Sequence, residues 1–303
     1  MTRVLVTGAS GFIGHPALSE LVRRGDDVHA VTSRPEPALI EGVRWRRVDL
    51  GDRLAVDALI EAVEPEQLLH LAWHAEPGHI WSAPMNVVWV ERSLALLRAF
   101  ARRGGRRVVM AGTCAEYDWT SPEDALNERM SPLEPTTLYG IAKDGLRRVA
   151  SGYAEEVGVE FAWGRVFFVY GPREPVHRVV PTVIRALLAG AQADLTRGTQ
   201  IRDFLHVDDV AGAIVSLLGS AVVGPVNIAS GQAVTVADIT DELGRLLQRP
   251  DLVRRGALPD RPGDPARLVA DVSRLQDEVG FRARWQLFDG LADTASWWRA
   301  HPG

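Results

Sequence analysis

Tyr139 and Lys143 stand four residues apart in the run Tyr139-Gly140-Ile141-Ala142-Lys143, so on a helix they share one face. An ammonium beside a phenol lowers the phenol's pKa, and tyrosine then becomes a usable acid or base near neutral pH. A hydroxyl at a neighbouring strand end is needed to polarise a substrate oxygen, and Thr113 is the candidate. Lys143 is the only lysine among 34 basic residues. Arginine cannot replace a lysine that works as a compact ammonium of adjustable pKa, which argues for a working role here. The alternative is one surface lysine kept by chance.

A second feature lies at the start of the chain. Thr7-Gly8-Ala9-Ser10-Gly11-Phe12-Ile13-Gly14 follows the apolar run Val4-Leu5-Val6 and opens a helical pattern. Glycines there permit a tight turn and close approach of backbone to a pyrophosphate, while the helix N-terminus supplies N–H donors. The spacing is GxxGxxG rather than GxGxxG, but the strand–loop–helix context is the required one. Gly8, Ser10, Gly11, Phe12, Ile13 and Gly14 are therefore expected to hold a dinucleotide. The end of the second strand reads Val31-Thr32-Ser33-Arg34-Pro35, without the acid that bonds an NAD ribose. Ser33 and Arg34 suit a 2′-phosphate instead, so NADP(H) is the expected cofactor, with NAD(H) possible. A solvated loop arginine is the bland alternative. Asp49 and Leu50 are expected at the adenine. Leu71, Ala72 and Trp73 after the fourth strand, Ala111 in the fifth and Phe167 in the sixth are expected beside the cofactor, with Tyr139 and Lys143.

The elements that position these residues alternate in type. Strands are expected over 4–6, 28–32, 43–48, 68–72, 107–111 and 160–169, and helices over 12–24, 87–103 and 139–157. Such alternation implies an α/β fold, a doubly wound parallel Rossmann sheet. After Gly171-Pro172 the pattern is less regular: helices over 179–188, 207–218 and 236–247, a strand over 224–229, and a last helix to about Trp298. The proline-, glycine- and arginine-rich stretch 250–265 reads as loop. The expected division is a dinucleotide-binding domain of residues 1–172 plus about 201–220. A smaller C-terminal substrate-binding lobe takes 173–200 and 221–303.

Composition excludes several classes. The net charge of −5 gives no reason to expect nucleic acid or an acidic membrane as partner. A single cysteine, Cys114, forbids an internal disulfide and suits a reducing cytoplasm. A strand is expected at once after Met1, so no signal peptide is expected, and no apolar run is long enough for a bilayer.

Taken with Leu69-His70-Leu71-Ala72, Arg165 with Tyr170-Gly171-Pro172, Arg202-Asp203-Phe204-Leu205-His206-Val207-Asp208-Asp209, Arg261-Pro262-Gly263-Asp264 and Val269-Ala270-Asp271-Val272-Ser273, these motifs resemble one family. It is the extended short-chain dehydrogenase/reductases of the NAD-dependent epimerase/dehydratase type, and the similarity covers nearly the whole chain. The resemblance implies a nucleotide-sugar substrate, its diphosphate gripped by Arg202 and Arg261, with Arg178 and Thr113 also at the substrate. Guanidinium suits phosphate because it binds in a bidentate way. Arg202 and Arg261 each have an alternative as a surface ion pair with Asp203 or Asp264. The resemblance also implies a homodimer through the two long helices. Two departures stand out. Phe167-Phe168-Val169 occupies the stretch where the family often has an asparagine, and Trp89 lies near a usual glycine.

The residues after Thr113 bear on the reaction. Family 4,6-dehydratases follow the catalytic threonine with Asp and Glu; here those positions are Cys114 and Ala115. Glu116 is one place late, and on extended backbone would face the other way. Epimerase-reductases of the fucose-synthase kind carry a cysteine where this chain has Ala115. Hydride transfer at one carbon remains. A nucleotide-sugar 4-ketoreductase using NADPH is the preferred reading and a 4-epimerase retaining NAD the alternative. A cofactor-binding sensor without turnover is less favoured, because Thr113, Tyr139 and Lys143 are all intact. The loop 73–81, with its His and Trp residues, is expected either to face the substrate or to pack.

Overall fold

The computed structural model describes residues 1–33, 40–74 and 80–301. Six strands arise in the first half: β1 (Arg3–Thr7), β2 (Asp27–Thr32), β3 (Val43–Arg47), β4 (Gln67–His70), β5 (Arg107–Thr113) and β6 (Glu160–Val166). With the later strand Gly224–Ile228 they form one seven-stranded sheet in the order Gly224–Ile228, β6, β5, β4, β1, β2, β3. Every pairing in it is parallel. Val4, Leu5 and Val6 are fully buried, as expected of a central strand covered on both faces. The doubly wound sheet expected from the alternation is therefore present. Strand Gly224–Ile228 lies at its edge, although the expected lobe begins at 221.

Helices cover both faces. On one side α1 (Gly14–Arg24) packs with α6 (Val207–Gly219). Val210, Ala211, Ala213, Ile214, Leu217 and Leu218 of α6 are all buried, together with Ala17, Leu18 and Leu21 of α1. On the other side lie α2 (Arg53–Val63), α3 (Met85–Arg102) and α4 (Leu138–Glu156), closing a core around Leu96, Phe100, Leu146 and Trp163. Helix α2 is not among the expected elements. Asp52 caps it, accepting from the Leu54 and Ala55 amides at 3.0 and 3.1 Å. Val56, Leu59, Ile60 and Val63 give it the spacing of one buried face, each worth about 1.5–3 kcal/mol when removed from water.

The C-terminal helices α5 (Val179–Leu188), α7 (Val236–Leu246) and α8 (Leu287–Ala300) gather around Tyr170, Phe204, Val183, Ile184, Leu243 and Trp298. The strand expected over 160–169 is two pieces, because Phe168–Tyr170 leaves the main sheet to pair with Phe204–His206. Part of the stretch expected as loop is ordered too: Val253–Arg255 pairs with Ala193–Leu195. Asp203 joins the segments. Its buried carboxylate accepts from the Ser230 amide and hydroxyl at 2.7 and 2.6 Å, from Gly231 N at 2.9 Å and from Ala270 N at 3.2 Å.

The chain leaves β1 towards β2 on one side and returns through β4 on the other. Their C-terminal ends flank the crevice where ligands of open α/β sheets bind.

Candidate active site

The glycine loop has the geometry of a phosphate cradle. Gly8 adopts φ +68°, and a Cβ on it would lie 2.6 Å from Ala72 N. A side chain at Gly14 would collide with the Gly8 carbonyl oxygen. Only glycine lets the loop, the end of β4 and the start of α1 approach this closely. Helix α1 begins at Gly14, two residues later than the pattern suggests, so Phe12 and Ile13 belong to the loop. Ser10 Oγ lies 3.2 Å from Thr32 Oγ1, tying the loop to the end of β2. Ser33 is exposed there, and Arg34 lies outside the described residues. Asp49 is exposed, its carboxylate accepting from Gly51 N at 2.8 Å, while Leu50 is buried. Leu71, Ala72, Trp73 and Ala111 are half-buried along the crevice. Phe167 is more buried than these, its ring packed against Tyr117 with centroids 6.2 Å apart.

Beneath the loop, His70 joins two elements. Ser93 Oγ donates to Trp89 O at 2.6 Å, so His70 Nε2–H donates to Ser93 at 2.8 Å and Nδ1 accepts from Thr7 Oγ1 at 2.6 Å. Burial and the Lys143 charge push the imidazole down to about 3, so it stays neutral. Trp89 thus supplies the carbonyl that fixes this tautomer.

Thr113 ends β5, and its hydroxyl accepts from Ala115 N at 3.2 Å. The Tyr139 phenol, from the first turn of α4, lies close enough to the Thr113 hydroxyl for that group to favour its ionised form. Thr113, Tyr139 and Lys143 are therefore brought together. Burial nevertheless raises the phenol to about 12; Thr113 and the Arg178 charge lower it, but by less. This corrects the expectation that Lys143 depresses it. Lys143 is itself buried and is pushed down to about 7 by desolvation, with Glu116 opposing, so it is only partly a cation at neutral pH. A neutral phenol is the form that donates a proton.

Cys114, Ala115 and Glu116 form a single 3-10 turn, and Glu116 closes a capping box on the Thr113 amide at 2.8 Å. The backbone here is therefore not extended, contrary to expectation. Glu116 is nevertheless turned away from solvent: fully buried, it pairs with Arg165 Nε at 2.7 Å and accepts from Trp163 Nε1 at 2.9 Å. Burial raises the Cys114 thiol to about 12, leaving it inert.

The arginines separate. Arg202 is 3% exposed, ion-paired with Asp264 at 2.6 Å, and lies over the Phe168 ring at 5.4 Å. Its ion-pair partner is Asp264, in a buried and not a surface pair; Asp203 is occupied by amides and a hydroxyl instead. Phe168 provides an aromatic floor in the segment where the family often has an amide. Arg261 is exposed in the loop that carries Asp264, and exposed Arg178 caps α5 within electrostatic reach of Tyr139. Near Arg178 lies a residue that no motif signalled: Glu174, 3% exposed, its carboxyl raised by burial to about 8.

Of the 73–81 loop, residues 75–79 lie outside the described residues. Trp73 and Trp81 both meet Tyr139 edge-on, at 6.4 and 5.8 Å between centroids, and Trp81 meets Trp119 at 5.6 Å. These residues both pack and border the Tyr139 phenol.

Among known proteins, residues 4–229 match the NAD dependent epimerase/dehydratase family. The chain is 30% identical to a dTDP-4-dehydro-6-deoxy-D-allose reductase of Streptomyces bikiniensis, over 98% of this chain and 96% of that one. It is 31% identical to MoeE5 solved with UDP-glucuronic acid and NAD, covering 99% of both chains at a TM-score of 0.85. It is 26% identical to the UDP-glucose 4-epimerase of Thermus thermophilus solved with NAD, covering 98% of this chain and 99% of the other at 0.88. Sequences described as dTDP-glucose 4,6-dehydratase and UDP-glucuronic acid decarboxylase match as well, so the relatives span several reactions.

Proposed function

The chain belongs to the NAD dependent epimerase/dehydratase family, and on that premise we propose that it reduces a nucleotide-linked 4-keto-6-deoxy sugar to the 4-hydroxy sugar with NADPH. One observation carries this reading. The two positions after Thr113 offer a thiol held near 12 and an alanine, and Glu116 is committed to Arg165. Among the described residues, no second acid–base pair stands there, where elimination chemistry would need one. Thr113, Tyr139 and Lys143 suffice for proton and hydride movement at a single carbon. The S. bikiniensis relative acts, by its description, on such a substrate.

The loop Gly8–Gly14 fits a pyrophosphate, since the backbone there excludes side chains. In this reading Ser33 and Arg34 hold a 2′-phosphate, Asp49 lies at the adenine, and Lys143 at the nicotinamide ribose. The bound cofactor supplies the hydride. Tyr139 gives its phenolic proton to the carbonyl oxygen, Thr113 holds that oxygen by a hydrogen bond, and solvent returns the proton to Tyr139. Arg178 and Arg261 bind the substrate's phosphates. Arg202 joins them if Asp264 yields its place. The lobe of 173–200 and 221–303, apart from strand Gly224–Ile228 in the main sheet, holds the sugar, and two copies of the chain pair through α3 and α4.

A second reading, a 4-epimerase that retains NAD, is favoured by the NAD found with the T. thermophilus enzyme. One assay separates them: NADPH and NADH oxidation against a panel of 4-keto-6-deoxy-sugar nucleotides, with the nucleotide content of the purified protein measured alongside. NADPH consumption by a protein purified free of nucleotide supports the reductase. Tightly held NAD with no net consumption supports the epimerase.

A further inference from the structure

Lys143 is 4% exposed, yet among the described residues no carboxylate touches it closely. Its ammonium donates to the Ala111 carbonyl at 2.8 Å. On another side Nζ lies only 3.7 Å from the centroid of the Trp73 ring, with the Trp163 ring more distant at 5.9 Å. The charged and titratable groups described around it are few. Glu116 reaches it electrostatically from the turn after β5 but is neutralised by Arg165. His70, from the end of β4, is neutral, and Tyr139 from its own helix is a neutral phenol. A buried ammonium is stable only where something replaces its water, and an indole face does so through its quadrupole.

Trp73 is itself fixed. Its Nε1 donates to Asn86 Oδ1 at 2.9 Å, and the fully buried Asn86 donates onward to Ile80 O at 2.7 Å. The adjoining Ala72 is the residue that presses on Gly8. One short segment therefore meets the phosphate loop with its backbone and the catalytic lysine with its side chain.

We propose that Trp73 is the positioning residue of the active-site lysine, its indole face holding the Lys143 ammonium charged and aimed along the Tyr139 side of the crevice. This rests on Lys143 serving as the cation of the reaction proposed above, but its test does not need turnover.

The chain has one lysine, so protein grown with lysine carrying 15N at Nζ gives a single side-chain ammonium signal. Titration of that signal in the whole protein, without ligands, reads the midpoint directly. An aromatic face favours the charged form, so Trp73→Leu moves the midpoint about one pH unit lower and Trp73→Phe moves it less. In the assay, kcat of Trp73→Leu near neutral pH falls several-fold and recovers as pH is lowered, while Trp73→Phe restores most of it. If Trp73→Leu does not fold, Trp73→Phe against wild type is read in the same way, a smaller fall in the same direction being expected. A midpoint unchanged or higher on losing the indole overturns the proposal. A normal midpoint shift in a protein that consumes no cofactor retains it and overturns the reductase reading instead.

Discussion

Glu116 and Arg165 form an ion pair with both side chains fully buried, Nε to Oε2 at 2.7 Å, directly behind the Thr113 amide. The Arg165 guanidinium also donates to the Tyr117 hydroxyl at 3.2 Å. Removing one member of a buried pair strands the other in low dielectric, at a cost of about 3–5 kcal/mol. Glu116→Gln keeps an acceptor for Thr113 and Trp163 but not the charge. Its unfolding free energy in urea is expected to fall by about 3 kcal/mol, with activity falling too because Thr113 shifts. A loss under about 1 kcal/mol would show that the pair is not a support of the site.

Lys143→Arg is expected to fold and to lose most turnover, because the guanidinium is too large for the space between Ala111 O and Trp73 and too basic for the role. Steady-state kinetics with a retained circular dichroism spectrum is the check. Near-normal kcat would remove Lys143 from the catalytic set.

Glu174 makes a prediction with a sign. Its carboxyl is raised from the usual 4.5 to about 8 by burial. Between those values the folded chain holds a proton that the unfolded chain has lost. Glu174 therefore contributes stability below about pH 4.5 that is lost as pH rises through about 8. The decline within that window is about 1.4 kcal/mol per pH unit. Glu174→Gln cannot ionise, so its stability relative to wild type should grow from pH 5 to pH 8. Parallel slopes for the two proteins would place the carboxyl near its ordinary value.

For the cofactor, a charge-assisted hydrogen bond of about 1.5–3 kcal/mol corresponds to roughly ten- to a hundredfold in affinity. NADPH should bind more tightly than NADH by that factor, and Arg34→Ala should remove most of the preference while sparing NADH. Fluorescence titration of both nucleotides decides it. Equal affinities in wild type would move the balance to the NAD-retaining epimerase.

Assembly is tested by mass. On the faces of α3 and α4, Val87, Ile141 and Val149 are each more than half exposed. A pair of chains would cover them, so light scattering at micromolar concentration should give twice 33.2 kDa. Val149→Asp should shift the protein toward the monomer. A wild-type monomer would leave these side chains without the partner proposed for them.

Much of the architecture can be read from residue order because it rests on local signals. Glycines at 8, 11 and 14, apolar runs and helical spacing all act over short distances, and the sheet follows from their alternation. The Tyr139–Lys143 pair is legible for the same reason, being one helical turn. What escapes such a reading depends on distance along the chain. Nothing near Glu116 announces Arg165, 49 residues on, or that Arg202 would meet Asp264. The phenol's pKa runs against the expected direction because a pair of residues says nothing about how deeply both are buried. Helix α2 is easily missed although Asp52 and its apolar spacing mark it, since it is only eleven residues long.

The sheet's last strand, Gly224–Ile228, and the helix α6 that covers one face come after α5, on the far side of a stretch belonging to the other half. Until residue 228 has been made, β6 is an open edge, and until α6 is complete at Gly219 α1 has only the sheet face of β1 and β2 to rest on. The nascent chain must therefore be made past residue 228 before its first domain can close. During that time β6, paired only with β5, presents an unpaired backbone edge, and Val166 on its other face lacks the cover of α6. Chaperone dependence and aggregation during synthesis should be concentrated in this interval, and a chain truncated after residue 172 should fare worse than one truncated after residue 230.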